Sequence, residues 1–311
     1  MHQRFLLGTA AAGLLLAIVL AAARVGEQPG ALSDWQALVL GITQGLTELL
    51  PISSSAHLIL VPWLGDWHYL EAHPGFNKTF DVGLHLGTLV AVVAYFRSDI
   101  VRLVVAWVGS LRRRRISSVD ERVAWYVAIA TVPAALVGAL GESVIDERLG
   151  EPWQIAIFLA LFGVLLWVAD RQPETRDLGG LTFVSGVGIG LSQILSLMPG
   201  VSRSGITITT GRFLGLGRDA AARFSFLLLV PITFGAVLFK GAGVATDGLP
   251  PGSIGPFVVG MLAAAAVGFV AIEALLGFVR RHDYTPFVVY RVLAAAVILL
   301  LIASGVRDST F

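Results

Sequence analysis

The sequence predicts an all-α polytopic membrane protein: an inverted-topology repeat with two re-entrant helix-loop-helix segments, about six core spanning helices and an extra N-terminal helix. Three observations predict it. Of 311 residues, 56% are hydrophobic and only 14% charged, and mean hydropathy is +0.80; a soluble domain carries about 25% charged residues. Apolar stretches with the reach of a spanning helix recur along the chain. Two further stretches, similar to each other, are interrupted by proline and serine. The same composition excludes a disordered chain. A net charge of +1 leaves no broad basic face for nucleic acid. The absence of cysteine removes disulfides, thiolate nucleophiles and Cys-based metal sites.

The elements follow in order. Residues 1–30 form an N-terminal signal-anchor or signal segment; the apolar run 5–23 behind Arg4 is long for a cleaved signal, which favours an anchor. Residues 31–311 form one integral membrane domain, with repeat 1 over about 34–169 and repeat 2 over about 180–304. Repeat 1 opens with the broken stretch 35–63, followed by spans over 80–96, 124–140 and 153–168. Repeat 2 opens with the broken stretch 181–210, followed by spans over 220–239, 254–279 and 286–304. Basic residues favour the cytoplasmic side. That puts Arg102 and the run Arg112, Arg113, Arg114 and Arg115 inside, and the acidic loop 141–152 outside. Arg171 and Arg176, then Arg212, Arg218 and Arg223, also fall inside, so the segment between them enters the membrane and returns. Counting back, 35–63 has both ends outside and enters from the opposite face.

The two broken stretches match. Gly45-Leu46-Thr47-Glu48 precedes Pro51 and Ser53-Ser54-Ser55-Ala56; Gly190-Leu191-Ser192-Gln193 precedes Pro199 and Ser202-Arg203-Ser204-Gly205. Irregular polar backbone survives at membrane depth only inside protein or beside water, so the function belongs to these segments. In the first, Gln44 and Glu48 lie four apart on one helix face, and a carboxylate there is functional by default. Ser53, Ser54, Ser55 and His57 follow the Pro51 break. In the second, Arg203 stands among Ser202, Ser204 and Thr207, and guanidinium suits bidentate phosphate recognition. Carboxylate, hydroxyls, imidazole and phosphate clamp together fit phosphoryl transfer.

These residues resemble the undecaprenyl-diphosphate phosphatase family, also called bacitracin-resistance proteins. Its Glu/Gln-x-x-x-Glu segment running into Leu-Pro-x-Ser-Ser-Thr-x-His appears as Gln44 to His57, and its Pro-Gly-x-Ser-Arg-Ser-Gly as Pro199 to Gly205. Phe80-Asp81-Val82, Phe224-Ser225-Phe226 and Tyr290-Arg291 add to the match, which covers about residues 35–304. The resemblance implies removal of the terminal phosphate of undecaprenyl diphosphate, a polyprenyl diphosphate lipid of the bilayer. This recycles the carrier for peptidoglycan synthesis and confers bacitracin resistance. It also implies a bacterial inner-membrane location, a site open to the periplasmic side, and a divalent cation, Mg²⁺ or Ca²⁺. Carried over, Glu48, Ser54, His57 and Arg203 are catalytic; Ser53, Ser202, Arg203, Ser204 and Thr207 bind phosphate; Glu48 and Gln44 hold the metal. Gln44 stands where many members have Glu, and Ser55 replaces the usual Thr.

On this reading Arg203 stabilises charge on the phosphoryl oxygens. Ser54 attacks phosphorus while Glu48 takes its proton or helps hold the cation. His57 protonates the leaving oxygen or activates water; a direct variant has His57 or Glu48 activate water with no covalent intermediate. His85 reads as packing or polar lining, and Arg291 as a structural pairing within the protein. A transporter or flippase of a phosphorylated lipid or other anion is the alternative, because broken helices in inverted repeats also build transporters. The glycines and alanines of 260–268 permit a homodimer and serve packing within one subunit equally well.

Overall fold

In a computed structural model residues 32–247 and 253–310 are described, and the N-terminal segment read as a signal anchor lies outside them. Among the described residues the regular elements are all helices, apart from one isolated bridge between Arg176 and Leu216. Among the described residues five helices are long and apolar enough to cross a membrane, over Val119–Gly141, Pro152–Ala169, Arg218–Phe239, Ile254–Val279 and Thr285–Ala303. The sixth expected span, 80–96, falls within a 22-residue helix, Pro74–Tyr95. That helix is outside the apolar set because Lys78, Asp81 and His85 make one of its faces polar.

Both broken stretches are two helices joined at a break. The first is α1 (Asp34–Leu49) and α2 (Ser54–Gly65). Ser33 starts α1 with a capping box: its hydroxyl accepts from the Gln36 N–H at 3.1 Å, and Gln36 Oε1 accepts from the Ser33 N–H at 3.0 Å. Pro51 then prevents continuation. A short α3 (His68–Ala72) leads into α4 (Pro74–Tyr95), then α5 (Arg97–Arg113), α6 (Val119–Arg148) and α7 (Pro152–Ala169). The second broken stretch is α8 (Phe183–Gln193) and α9 (Arg203–Phe213), separated by a 3₁₀ turn and the Pro199 break. Helices α10 (Arg218–Asp247), α11 (Ile254–Val279) and α12 (Thr285–Ala303) complete the domain.

Sequence and structure part at the helix ends. The stretch 141–148, expected as loop, continues α6, and 241–247 continues α10; the apolar window marks the span and the helix overruns it. Residues 97–113, expected as part of a loop, form the amphipathic α5, with Leu103 buried and Val101, Val104 and Val105 exposed.

Packing is reciprocal between the halves: α1 lies on α11, α8 lies on α6, α4 faces α10 and α7 faces α12. Equivalent glycines of the sequence repeat make close approaches in both helix pairs. A Cβ on Gly45 would sit 2.8 Å from the Ala264 carbonyl of α11, and one on Gly190 would sit 2.5 Å from Ala130 Cα of α6. The breaks match as well. Ser53 and Ser202, each immediately before a helix, have φ of 75° and 76°, a left-handed conformation that costs an L-residue of order 1–3 kcal/mol.

At one end of the domain a buried polar knot joins α7, α9, α10 and the turn before α12. Asp170 Oδ1 accepts from Arg212 Nε at 3.3 Å and from Arg218 Nε at 2.7 Å, while its Oδ2 accepts from the Tyr284 N–H at 2.9 Å. Arg212 is fully buried. The Tyr284 phenol, outside the spans, is also buried, and desolvation pushes its pKa up.

Candidate active site

The breaks face each other across the domain, and three sets of hydrogen bonds fix their separation. The Gly200 N–H donates to Ser53 Oγ at 3.1 Å, and Ser204 Oγ donates to the Leu50 carbonyl at 3.0 Å. Arg291 of α12, wholly buried, donates to the Pro51 carbonyl at 3.1 Å and to those of Gly200 and Val201 at 2.9 and 3.1 Å. One guanidinium thus caps carbonyls of both breaks, groups that would otherwise stand unpaired in the interior.

At the centre of this arrangement is Glu48, in the last turn of α1 and 7% exposed. Ser54 Oγ, at the start of α2, donates to its Oε2 at 2.5 Å. Arg203, at the start of α9, directs Nε and Nη2 to its Oε1 at 3.4 and 3.3 Å. Arg203 Nη1 donates to the Ser225 carbonyl of α10 at 2.8 Å, which orients the guanidinium. These groups form the floor of a cavity of about 340 Å³, whose wall includes Ser202, Asp81, His85 and Thr233, with Lys78 on its rim. Guanidinium, hydroxyl and carboxylate converge there without being paired off from the cavity: Arg203 is 12% exposed.

The structure therefore brings Glu48, Ser54, Ser202 and Arg203 to one cavity and places the other expected residues around it. Ser53, Ser204 and Thr207 face protein. Ser53 and Ser204 bridge the breaks as described, and Thr207 Oγ1 donates to Ser225 Oγ at 2.8 Å. His57 is 2% exposed. Its Nδ1 donates to the Ser53 carbonyl at 2.6 Å, and its Nε2 accepts from the Tyr290 hydroxyl at 2.5 Å, so neither nitrogen is turned to the cavity. Gln44 is buried behind Glu48. Its Nε2 donates to Glu48 Oε2 at 3.5 Å, and its Oε1 has no partner.

This donor set does not fit a divalent cation held by Gln44 and Glu48. The amide turns its nitrogen toward the carboxylate, and both carboxylate oxygens already face hydrogen-bond donors. Among the described residues no three His, Asp or Glu side chains group as metal ligands.

Sequence reasoning passed over His85, Ser225 and Arg291 as site residues. The available signal for His85 was its spacing with Lys78 and Asp81 on one face of an otherwise apolar helix.

A family model described as bacitracin resistance protein BacA matches residues 37–297. The chain is 46% identical over 272 residues to the undecaprenyl-diphosphatase of Pelobacter propionicus, covering 87% of this chain and 97% of that protein. It is 47% identical over 266 residues to the undecaprenyl-diphosphatase of Moorella thermoacetica, covering 85% and 96%. Identity is 47% over 268 residues to the undecaprenyl-diphosphatase of Geobacter metallireducens, covering 86% and 97%.

Proposed function

From the premise that the chain belongs to the bacitracin resistance protein BacA family, we infer that it is an undecaprenyl-diphosphatase, a multi-pass membrane phosphatase that recycles undecaprenyl phosphate. The observation that carries the mechanism is the shared carboxylate: Ser54 on one oxygen of Glu48, Arg203 on the other. In the first half of the reaction Ser54 Oγ attacks the terminal phosphorus and the bond to the bridging oxygen breaks. The proton of Ser54 passes to Glu48 Oε2, and undecaprenyl phosphate leaves. Arg203, freed from Glu48 as that carboxylate becomes neutral, carries the charge on the phosphoryl oxygens. Ser202 supplies a further hydroxyl beside them. His57 acts as a positioning residue, holding the Ser53 carbonyl and with it the turn that aims Ser54.

We place the divalent cation, Mg²⁺ or Ca²⁺, on the diphosphate itself as part of the substrate, with phosphate oxygens and water as ligands. The two broken segments enter the bacterial inner membrane from opposite faces. The cavity opens to the periplasmic side, with the Arg112–Arg115 run on the cytoplasmic side. Reciprocal packing of α1 on α11 and α8 on α6, and the matched φ of Ser53 and Ser202, support this inverted repeat.

Phosphate release from undecaprenyl diphosphate by the purified protein in detergent tests the function. The expected result is one inorganic phosphate and one undecaprenyl phosphate per substrate, lost in Ser54→Ala. A transporter of the same lipid would release none.

A further inference from the structure

We propose that His85 is the base that activates the water in the second half of the reaction, a role that rests on the phosphatase reading above. Lys78, Asp81 and His85 fall at i, i+3 and i+7 of α4, so one stripe of that helix faces the cavity. His85 Nδ1 donates to the Asp81 carbonyl one turn back at 2.7 Å. That bond fixes the tautomer and leaves the Nε2 lone pair directed away from the helix. Nε2 lies 3.6 Å from Glu48 Oε2, the same oxygen that accepts from Ser54. A water beside phosphorylated Ser54 is thus within reach of Nε2, the geometric requirement for a general base. Exposure separates the two candidate imidazoles: the His85 side chain is 33% exposed into the cavity, whereas His57 is 2% exposed with both nitrogens bonded.

The step balances. The water oxygen bonds to phosphorus as the bond from phosphorus to Ser54 Oγ breaks. One water proton passes to His85 Nε2 and the other stays on the departing phosphate. Glu48 returns to Ser54 Oγ the proton it took in the first half, and His85 gives its proton to solvent at the cavity mouth.

The test uses full-length protein and undecaprenyl diphosphate labelled in the terminal phosphate. Wild type releasing phosphate, and Ser54→Ala releasing none, establish the phosphatase reading independently of His85. His85→Gln is then expected to form undecaprenyl phosphate in its first turnover, to lower steady-state phosphate release by about 100-fold, and to accumulate acid-stable label on Ser54. His85→Ala leaves space open to the cavity, and added imidazole is expected to restore its release. Undiminished release in both variants, or reduced release with no label retained on Ser54, overturns the assignment.

Discussion

Ser54 and Arg203 occupy equivalent positions in the two halves of the sequence repeat, each the first residue of the helix after a break, and they meet on opposite oxygens of Glu48. On the proposed mechanism, divergence at this pair gives one half the nucleophile and the other the phosphate clamp. The acid is equally one-sided: Gln193 stands in repeat 2 where Glu48 stands in repeat 1. The two matching breaks therefore hold a single asymmetric site.

Glu48→Gln keeps the side-chain volume but removes the acceptor of the Ser54 proton. Its kcat is expected to fall by roughly 10²–10⁴, the range for loss of general base catalysis, in a phosphate-release assay. A fall of less than tenfold would show that the Ser54 proton goes elsewhere.

Arg203→Lys keeps the charge and loses the planar fork that spans Glu48 and Ser225. A drop of about 10²–10³ in kcat/KM is expected, comparable to deleting one transition-state donor. Inhibition by orthovanadate, a phosphoryl-transfer mimic, should weaken with it. Vanadate inhibition unchanged in the lysine variant would remove Arg203 from contact with the phosphoryl group.

His57 and Tyr290 form one buried unit, so their variants should behave alike. Tyr290→Phe leaves His57 Nε2 unpaired at a cost of about 1–3 kcal/mol, lowering the melting temperature in detergent. On the proposed role of this unit in aiming Ser54, Tyr290→Phe should reproduce part of the kcat loss of His57→Ala without touching the cavity. A His57→Ala variant that is inactive beside a fully active, equally stable Tyr290→Phe would return His57 to proton transfer.

The contrast between the two histidines shows what a sequence can and cannot convey here. Spans, breaks and the Glu48, Ser54 and Arg203 constellation are legible because lipid forbids unpaired polar backbone and lone charges, so each exception stands out against an apolar background. Which imidazole faces the cavity depends on side-chain direction after a left-handed turn at Ser53, and on a tyrosine 233 positions away. No local pattern encodes that. Arg291 looks from sequence like a structural pairing, and it is one, yet its partners are backbone carbonyls of both breaks and of α7 and not an acid. Helix ends differ for another reason: the apolar windows mark spans and not helix termini, and α6 and α10 run past theirs.

Asp170 receives two guanidinium groups and a backbone N–H in a site almost closed to solvent. Asp170→Asn would leave the fully buried Arg212 with only the half-exposed Glu174, 3.8 Å away, as a carboxylate partner, a change expected to cost up to about 3–5 kcal/mol. Thermal unfolding in detergent should show a marked drop in melting temperature, larger than that of an exposed pair such as Arg102→Ala. Equal shifts in the two variants would mean that the knot does not hold the ends of α7, α9 and α10 together.

A cation carried by the diphosphate and one held by the protein respond differently to mutation behind Glu48. Chelation is expected to abolish turnover in either case. Gln44→Leu separates them, because Gln44 turns its amide nitrogen, not its oxygen, toward the carboxylate. If the ion belongs to the substrate, the Mg²⁺ concentration giving half-maximal turnover should stay within about twofold of wild type. Even outer-shell partners of a protein-held metal change affinity by about 10–100-fold when removed. A shift of tenfold or more in Gln44→Leu would therefore move the ion onto α1 and make Gln44 its ligand.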